Sequence, residues 1–243
     1  MTTPHQPRLV LFDIDATLIS TSRSGIRAMR VVTARLFGQG IDIEAVEFAG
    51  KLDTLIIADI LRLAGESPTP HAITTFADHY RQELQATLAD PATTATALPG
   101  VHTLIDALAA TQGLTLGLLT GNFQHTGTIK LRACGINPDR FPVRVWAEHA
   151  PHVNPTRDHL PPVGLAQWAC IVGPDHAHPR RAVVIGDTPH DIRCAKVNAM
   201  ASIAVATGGF ELDHLAGFAP DACVEDLSDT HAIIQHITRL TTA

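Results

Sequence analysis

The sequence predicts an α/β fold: a parallel sheet core with helices on both faces, and an all-helical cap inserted after the first strand. Three observations predict it. An apolar run, Leu9-Val10-Leu11-Phe12, stops abruptly at Asp13-Ile14-Asp15-Ala16-Thr17. From Leu98 onward, short apolar runs alternate with helical patterns. Between Ser20 and Ala97 the strand pattern vanishes and apolar residues recur at helical spacing. Strands buried on both faces read as short apolar runs, and strand–helix alternation implies right-handed crossovers between parallel strands.

The elements follow in order. Leu9 to Phe12 is the first predicted strand. Helices are expected over Ile26 to Phe37, Thr54 to Ala64 and His71 to Leu88, the second with Leu55, Ile56, Ile60 and Leu63 at helical spacing. This insert joins the rest at Ser20-Thr21-Ser22 and at the small-residue stretch Pro91 to Gly100, where Pro99-Gly100 is strong turn punctuation and Ala92 to Ala97 reads as a linker. Beyond it, strands are expected at Leu114 to Leu119, Val143 to Trp146, Arg181 to Ile185, Ser202 to Ala206 and Cys223-Val224. Helices are expected at Gln124 to Cys134, Pro162 to Ile171, Asp191 to Asn198 and Ser228 to Leu240.

Composition excludes several classes of function. The chain has 243 residues, enough for one large or two modest domains. A net charge of −6 without a basic block argues against nucleic acid as the main partner. No apolar stretch reaches the roughly 18 residues that would span a bilayer, and Met1 to Pro7 lacks a signal-peptide pattern. The cysteines Cys134, Cys170, Cys194 and Cys223 are widely spaced, as expected for reduced thiols in a cytoplasmic protein. The 14 histidines show no spacing that a zinc site requires and read as exposed loop residues. Nothing in the pattern specifies an oligomeric state.

The chemistry sits at strand ends, where open α/β sheets bind their ligands. Asp13 and Asp15 close the first strand and, two residues apart, point the same way on an extended chain. Thr120-Gly121-Asn122 closes the strand beginning at Leu114, and Gly186-Asp187-Thr188-Pro189-His190-Asp191 closes the one beginning at Arg181. Bringing Asp13, Asp15, Asp187 and Asp191 together crowds four carboxylates. Two charges 4 Å apart repel by about 4 kcal/mol at an effective dielectric of 20, so a counter-ion is needed. A hard divalent cation with oxygen ligands fits, and Mg²⁺ fits best beside a substrate phosphate. Thr120 offers a hydroxyl, and the amides of Gly121 and Asn122 are candidates to face phosphate oxygens.

In these three motifs, in this order, the chain resembles the haloacid dehalogenase superfamily in its phosphatase branch, nearest to phosphoglycolate-phosphatase-like enzymes. Asp13, Asp15 and Thr17 match the Asp-x-Asp-x-Thr motif, Thr120 the Thr/Ser motif, and Gly186, Asp187 and Asp191 the Gly-Asp-x-x-x-Asp motif. The resemblance implies a Rossmann-like core over residues 1–19 and 98–243 and a helical cap over residues 20–97. It implies Asp13 as nucleophile and Asp15 as general acid and base. It implies Mg²⁺ held by Asp13, the backbone carbonyl of Asp15, and Asp187, with Thr17 and Asp191 supporting the site.

The family's usual lysine between the second and third motifs is not obvious. The interval holds only Lys130, inside the predicted helix after Thr120. Arg157, in Thr156-Arg157-Asp158-His159-Leu160-Pro161-Pro162, is the preferred phosphate-binding cation, with Arg144, Arg180 and Arg181 as competitors. Ala16 stands where the family usually has glycine. If that position needs a positive φ, alanine costs about 1–2 kcal/mol. Lys51, after Phe48-Ala49-Gly50, is a candidate substrate contact from the cap.

The expected activity is therefore hydrolysis of a small phosphorylated metabolite, an organic phosphate monoester of the phosphoglycolate kind. A phosphomutase of the β-phosphoglucomutase type is the alternative. Dehalogenation is disfavoured because dehalogenases of this fold lack an acid at the Asp15 position. A non-catalytic metabolite-binding protein would be expected to have lost Asp13 or Asp15.

Overall fold

The computed structural model describes residues 6–241. The outer residues, 1–5 and 242–243, lie outside the described residues; they include most of the Met1–Pro7 stretch and the two extremes of the expected core. Strand β1 is Arg8–Phe12. A two-residue strand β2, Ile19–Ser20, leads into helices α1 (Ser24–Phe37), α2 (Asp53–Leu63) and α3 (Pro70–Ala89), and β3 (Thr96–Ala97) follows. The chain then alternates through α4 (Val101–Ala110), β4 (Leu114–Leu119), α5 (Gln124–Ala133), β5 (Val143–Val145), α6 (Leu160–Val172), β6 (Ala182–Gly186), α7 (Pro189–Val197), β7 (Ala201–Val205), α8 (Leu212–Ala216), β8 (Ala222–Val224) and α9 (Thr230–Leu240).

Six strands form one sheet in the order β5-β4-β1-β6-β7-β8, every neighbouring pair parallel. The apolar run of β1 explains its central place. Leu9 and Leu11 face one side, packing in a cluster with Val143, Val145, Trp168 and Val184. Val10 and Phe12 face the other, with Leu104, Ile105, Leu118, Ile185 and Ile237. A strand alternates its side chains, so only one that is apolar at every position can be covered on both faces. Phe12 pairs in register with Leu118 of β4 and Ile185 of β6. The next residue, Asp13, is thus carried between the ends of those two strands.

The helical insert has its own stripes. Ala28, Met29 and Val32 of α1 meet Ile56, Ile57, Ile60 and Leu61 of α2 and Phe76, Tyr80 and Leu84 of α3, spacings of three and four that place each set on one helix face. Thr69 caps α3 by accepting from the Ala72 N–H (3.2 Å), with Pro70 at the first helical position. Strands β2 and β3 pair antiparallel, Ile19 with Ala97 and Ser20 with Thr96, so the chain leaves for the insert and returns from it at one point. Pairs of two residues are too short to show a period, which is why the sequence showed no strand there. Helix α4 was not expected either; its Val101, Leu104, Ile105 and Leu108 pack under the sheet. Among the described residues no helix is long and apolar enough to cross a membrane. All four cysteines are free thiols.

Candidate active site

The carboxyl ends of β1, β4 and β6 open into a cavity of about 580 Å³, lined by Asp13, Asp15, Thr120, Lys130, Arg157 and Asp187 among others. Asp13 continues the ladder by one bond, its N–H donating to Ile185 O (2.9 Å), and its side chain is buried. Asp15 stands further out, with its side chain 41% exposed. Between them and Thr17 the chain turns sharply. Ala16 takes φ 57°, the left-handed region, so the penalty foreseen for a side chain there is present. The turn is held by Ala16 N–H donating to Ile19 O (2.8 Å) and by Thr207 Oγ1 donating to Ala16 O (2.5 Å). Thr17 is fully buried and donates its hydroxyl to Asp187 Oδ1 (3.2 Å).

At the end of β4, Thr120 is buried and Asn122 folds back on it. Asn122 Nδ2 donates to Thr120 Oγ1 (2.8 Å) and to Asp15 Oδ2 (2.8 Å), and the Asn122 N–H is directed at Thr120 Oγ1 (3.3 Å). Gly121 is where the insert touches this loop. Asp53 N–H donates to Gly121 O (2.7 Å), and a Cβ on Gly121 would run into the Lys51 carbonyl. Only glycine lets the two backbones approach this closely.

Arg157 lies in a single helical turn just before α6, its side chain 4% exposed. Its Nη2 is 3.1 Å from Asp13 Oδ1, pairs with Asp191 Oδ1, and donates to Leu119 O (3.2 Å); its Nη1 donates to Gly50 O (3.4 Å). Its Nε is buried with no hydrogen-bond partner among the described residues. The competing arginines lie elsewhere. Arg144 pairs with Asp139 (3.1 Å), and Arg180 and Arg181 precede β6, at the end of that strand opposite Asp187. Asp191 caps α7. Its Oδ2 accepts from Thr188 N–H (3.1 Å) and Thr188 Oγ1 (2.6 Å), so both of its oxygens are engaged. A Cβ on Gly186 would occupy the place of the Asp191 carboxyl, which accounts for the glycine of that motif.

Asp13, Asp187 and Asp191 each offer a carboxylate oxygen within 4.8 Å of the others, all three buried. Burial, partly offset by Arg157 and reinforced by Asp191 and Asp15, pushes Asp13 up to about 6. Burial, reinforced by Asp13 and Asp191, pushes Asp187 up to about 8. Arg157 gains in the opposite sense: burial alone would lower it, but Asp13 and Asp191 hold it well above the usual guanidinium range. Asp191 is satisfied by protein donors, whereas among the described residues Asp187 accepts a side-chain hydrogen bond only from Thr17. Asp13 and Asp187 therefore have oxygens to spare, and two raised, crowded carboxylates fit a hard divalent cation.

Lys130, expected only as a residue of the helix after Thr120, enters the site in the structure. Lys130 is buried, and its Nζ donates to Asp15 Oδ2 (2.7 Å) and Asn122 Oδ1 (2.7 Å). The signal was available: Thr126, Gly127, Lys130 and Leu131 occupy one face of α5, a lysine in a stripe of small and apolar residues. Asp53 and Tyr80, from α2 and α3, complete this cluster. Asp53 accepts from Phe123 N–H (3.1 Å) and Thr126 Oγ1 (3.3 Å), and burial pushes it up to about 6. Neither residue had a local pattern marking it. Lys51 lines the cavity but is tied to Asp59 (2.8 Å) within the insert.

The haloacid dehalogenase-like hydrolase family matches residues 10–205. The chain is 26% identical over 227 residues to pyrophosphatase PpaX of Oceanobacillus iheyensis, covering 93% of this chain and 96% of that protein. It is 27% identical over 233 residues to the probable phosphatase IndB of Dickeya dadantii, covering 93% and 95%. Its fold is shared by CbbY from Rhodobacter sphaeroides, solved in complex with phosphate (TM-score 0.70, 22% identity, 92% and 96% covered). It is shared equally by a predicted phosphoglycolate phosphatase from Haemophilus somnus (TM-score 0.67, 20% identity, 97% and 100% covered). With the family matched across most of its length, including the strand ends that carry Asp13, Thr120 and Asp187, the chain belongs to the haloacid dehalogenase-like hydrolases.

Proposed function

We propose that this hydrolase is a Mg²⁺-dependent phosphatase that cleaves a small organic phosphate monoester through an aspartyl-phosphate on Asp13. The observation that carries the reading is Asp13 itself. It is a buried carboxylate at the tip of the central strand, with Arg157 Nη2 3.1 Å from one oxygen and the ends of β4 and β6 on either side. A carboxylate oxygen of Asp13 attacks phosphorus, the bond from phosphorus to the ester oxygen breaks, and Asp15 supplies the proton to the departing alcohol. Asp15 then takes a proton from water, whose oxygen attacks phosphorus, releasing inorganic phosphate and restoring Asp13. Phosphate monoesters resist hydrolysis so strongly that such catalysis must supply up to ~10²¹-fold acceleration.

In this reading Arg157 and the Thr120 hydroxyl, both from residues that line the cavity, hold phosphoryl oxygens. Gly121 and Asn122 shape that loop. Asp13, Asp187 and the backbone carbonyl of Asp15 would hold the metal, with Thr17 and Asp191 fixing Asp187 and Arg157. Mg²⁺ bound there would neutralise charge between the nucleophile and the phosphoryl group. Residues 20–97 act as a cap over a core formed by residues 1–19 and 98–243, and four unpaired cysteines suit the reducing cytoplasm.

Phosphate release from a panel of esters, with and without Mg²⁺, tests the reading. The panel includes phosphoglycolate, sugar phosphates and, because relatives bear that name, inorganic pyrophosphate. Metal-dependent release from a monoester is expected. Isomerisation of a sugar phosphate without release would replace the phosphatase by a mutase, and release unaffected by EDTA would remove the metal.

A further inference from the structure

Lys130 is an expensive residue. Desolvating an ammonium is costly, and an apolar side chain in its place would suit the buried face of α5 that it shares with Thr126, Gly127 and Leu131. Two of its N–H groups are nonetheless used, donating to Asp15 Oδ2 (2.7 Å) and Asn122 Oδ1 (2.7 Å). Its charge also interacts with the buried hydroxyl of Tyr80 on α3. The ammonium is thus committed chiefly to the protein. What it does to Asp15 is specific. Oδ2 of that carboxylate receives two donors, Lys130 Nζ and Asn122 Nδ2, while Oδ1 has no hydrogen-bond partner among the described residues. One oxygen is anchored and the other is left able to carry a proton. Without the anchor, a carboxylate with 41% of its side chain exposed would rotate freely.

We propose that Lys130 is a positioning residue for proton transfer: it pins Oδ2 of Asp15 so that Oδ1 serves the leaving group, and through Tyr80 it ties that orientation to the seat of α3. This rests on the reading of Asp15 as the acid and base. Other cations of the cavity do not share the arrangement. Arg157 addresses Asp13 and Asp191, and Lys51 is held by Asp59.

A general acid matters when the leaving group needs a proton and matters little when it does not. The test compares kcat/KM for benzyl phosphate, a poor leaving group, with that for 4-nitrophenyl phosphate, a good one, in the wild type, Lys130→Met, Tyr80→Phe and Asp15→Asn. Lys130→Met is expected to lose about 10²-fold on benzyl phosphate and at least tenfold less on 4-nitrophenyl phosphate. Tyr80→Phe, which leaves the lysine in place, loses in the same selective direction and by less. Asp15→Asn shows the selectivity in its largest form. If Lys130→Met does not fold, Tyr80→Phe decides by the same criterion. Equal losses on both substrates, with Asp15→Asn still selective, overturn the role of Lys130 alone. A non-selective Asp15→Asn overturns the acid–base reading and the inference with it.

Discussion

Two buried cations face the same cavity and are held in opposite ways. Arg157 is held mainly from the sheet side: its partners Asp13, Asp191 and Leu119 O are fixed by the ends of β1, α7 and β4, and the insert adds only a longer bond to Gly50 O (3.4 Å). Lys130 sits at a seam, hydrogen-bonded to Asp15 and Asn122 on one side and interacting electrostatically with Tyr80 of α3 on the other. The Arg157 cluster carries unsettled charge, for Asp13 and Asp187 are both pushed above the usual carboxylate range by burial and by each other. In the Lys130 cluster, Asp15, Tyr80 and Asp53 outweigh burial and hold the ammonium above its ordinary value, and burial pushes Asp53 up to about 6. In the proposed reading one cluster receives a cation and a phosphate. The other is arranged to hold its own members still.

The largest effect that would break this comparison falls on the first cluster. Asp13→Asn, which keeps shape and removes the nucleophile, should lower kcat roughly 10⁴-fold or more while the protein stays folded, read by phosphate release and by its melting curve. Ordinary turnover in that variant would remove the reason for separating the two clusters.

Arg157→Ala comes next. Removing one partner of a buried ion pair leaves carboxylates unpaired, at about 3–5 kcal/mol of stability. Loss of a preorganised donor should lower kcat by about 10²–10³-fold. Arg157→Lys should recover stability better than rate, since an ammonium cannot fork onto two oxygens. Denaturant melts and kinetics on the pair of variants check this.

A pH effect sharpens the contrast. In the metal-free protein Asp13 and Asp187 hold protons up to about 6 and about 8, whereas unfolded aspartates release theirs near 3.8. Between those limits the folded chain binds more protons than the unfolded one, so the contribution of this pair to stability falls as pH rises from about 4 toward 8. Mg²⁺ competes with the same protons. Its addition should therefore raise Tm more at pH 8 than at pH 6, and a Tm increment independent of pH would contradict the raised carboxylates.

The smallest effect concerns Lys51, whose ammonium is paired with Asp59 inside the insert and is partly solvated. Lys51→Met should raise KM by no more than about fivefold, within the range of a partly exposed ion pair. A far larger rise would make Lys51, rather than the Lys130 seam, the insert's main contribution to the site.

The two clusters also differ in how far they were legible in the sequence. Asp13, Thr120 and Asp187 each follow an apolar run that ends in a polar residue, and a parallel sheet gathers strand ends at one edge, so order along the chain sufficed. Arg157 was reachable because it precedes a Pro-Pro helix start, although spacing could not exclude Arg144, Arg180 or Arg181. Lys130, Asp53 and Tyr80 meet only when α2 and α3 pack over α5. That is a tertiary fact with no trace in local pattern, save a lysine on the inward stripe of α5. Ala16 was legible as a doubt and needed coordinates to be placed in the left-handed region. Helix α4 and the β2–β3 pair differ in legibility: Val101, Leu104, Ile105 and Leu108 give α4 an apolar face at helical spacing, whereas the two strands are shorter than any period.

The central claim, that the carboxylate at the tip of β1 becomes phosphorylated, is tested most directly by trapping. The Mg²⁺-loaded enzyme is mixed with an accepted ester, quenched within a turnover and reduced with borohydride, which converts an aspartyl-phosphate to homoserine. Peptide mass analysis should find homoserine at position 13. Homoserine at another aspartate, or none while phosphate is being released, would contradict it.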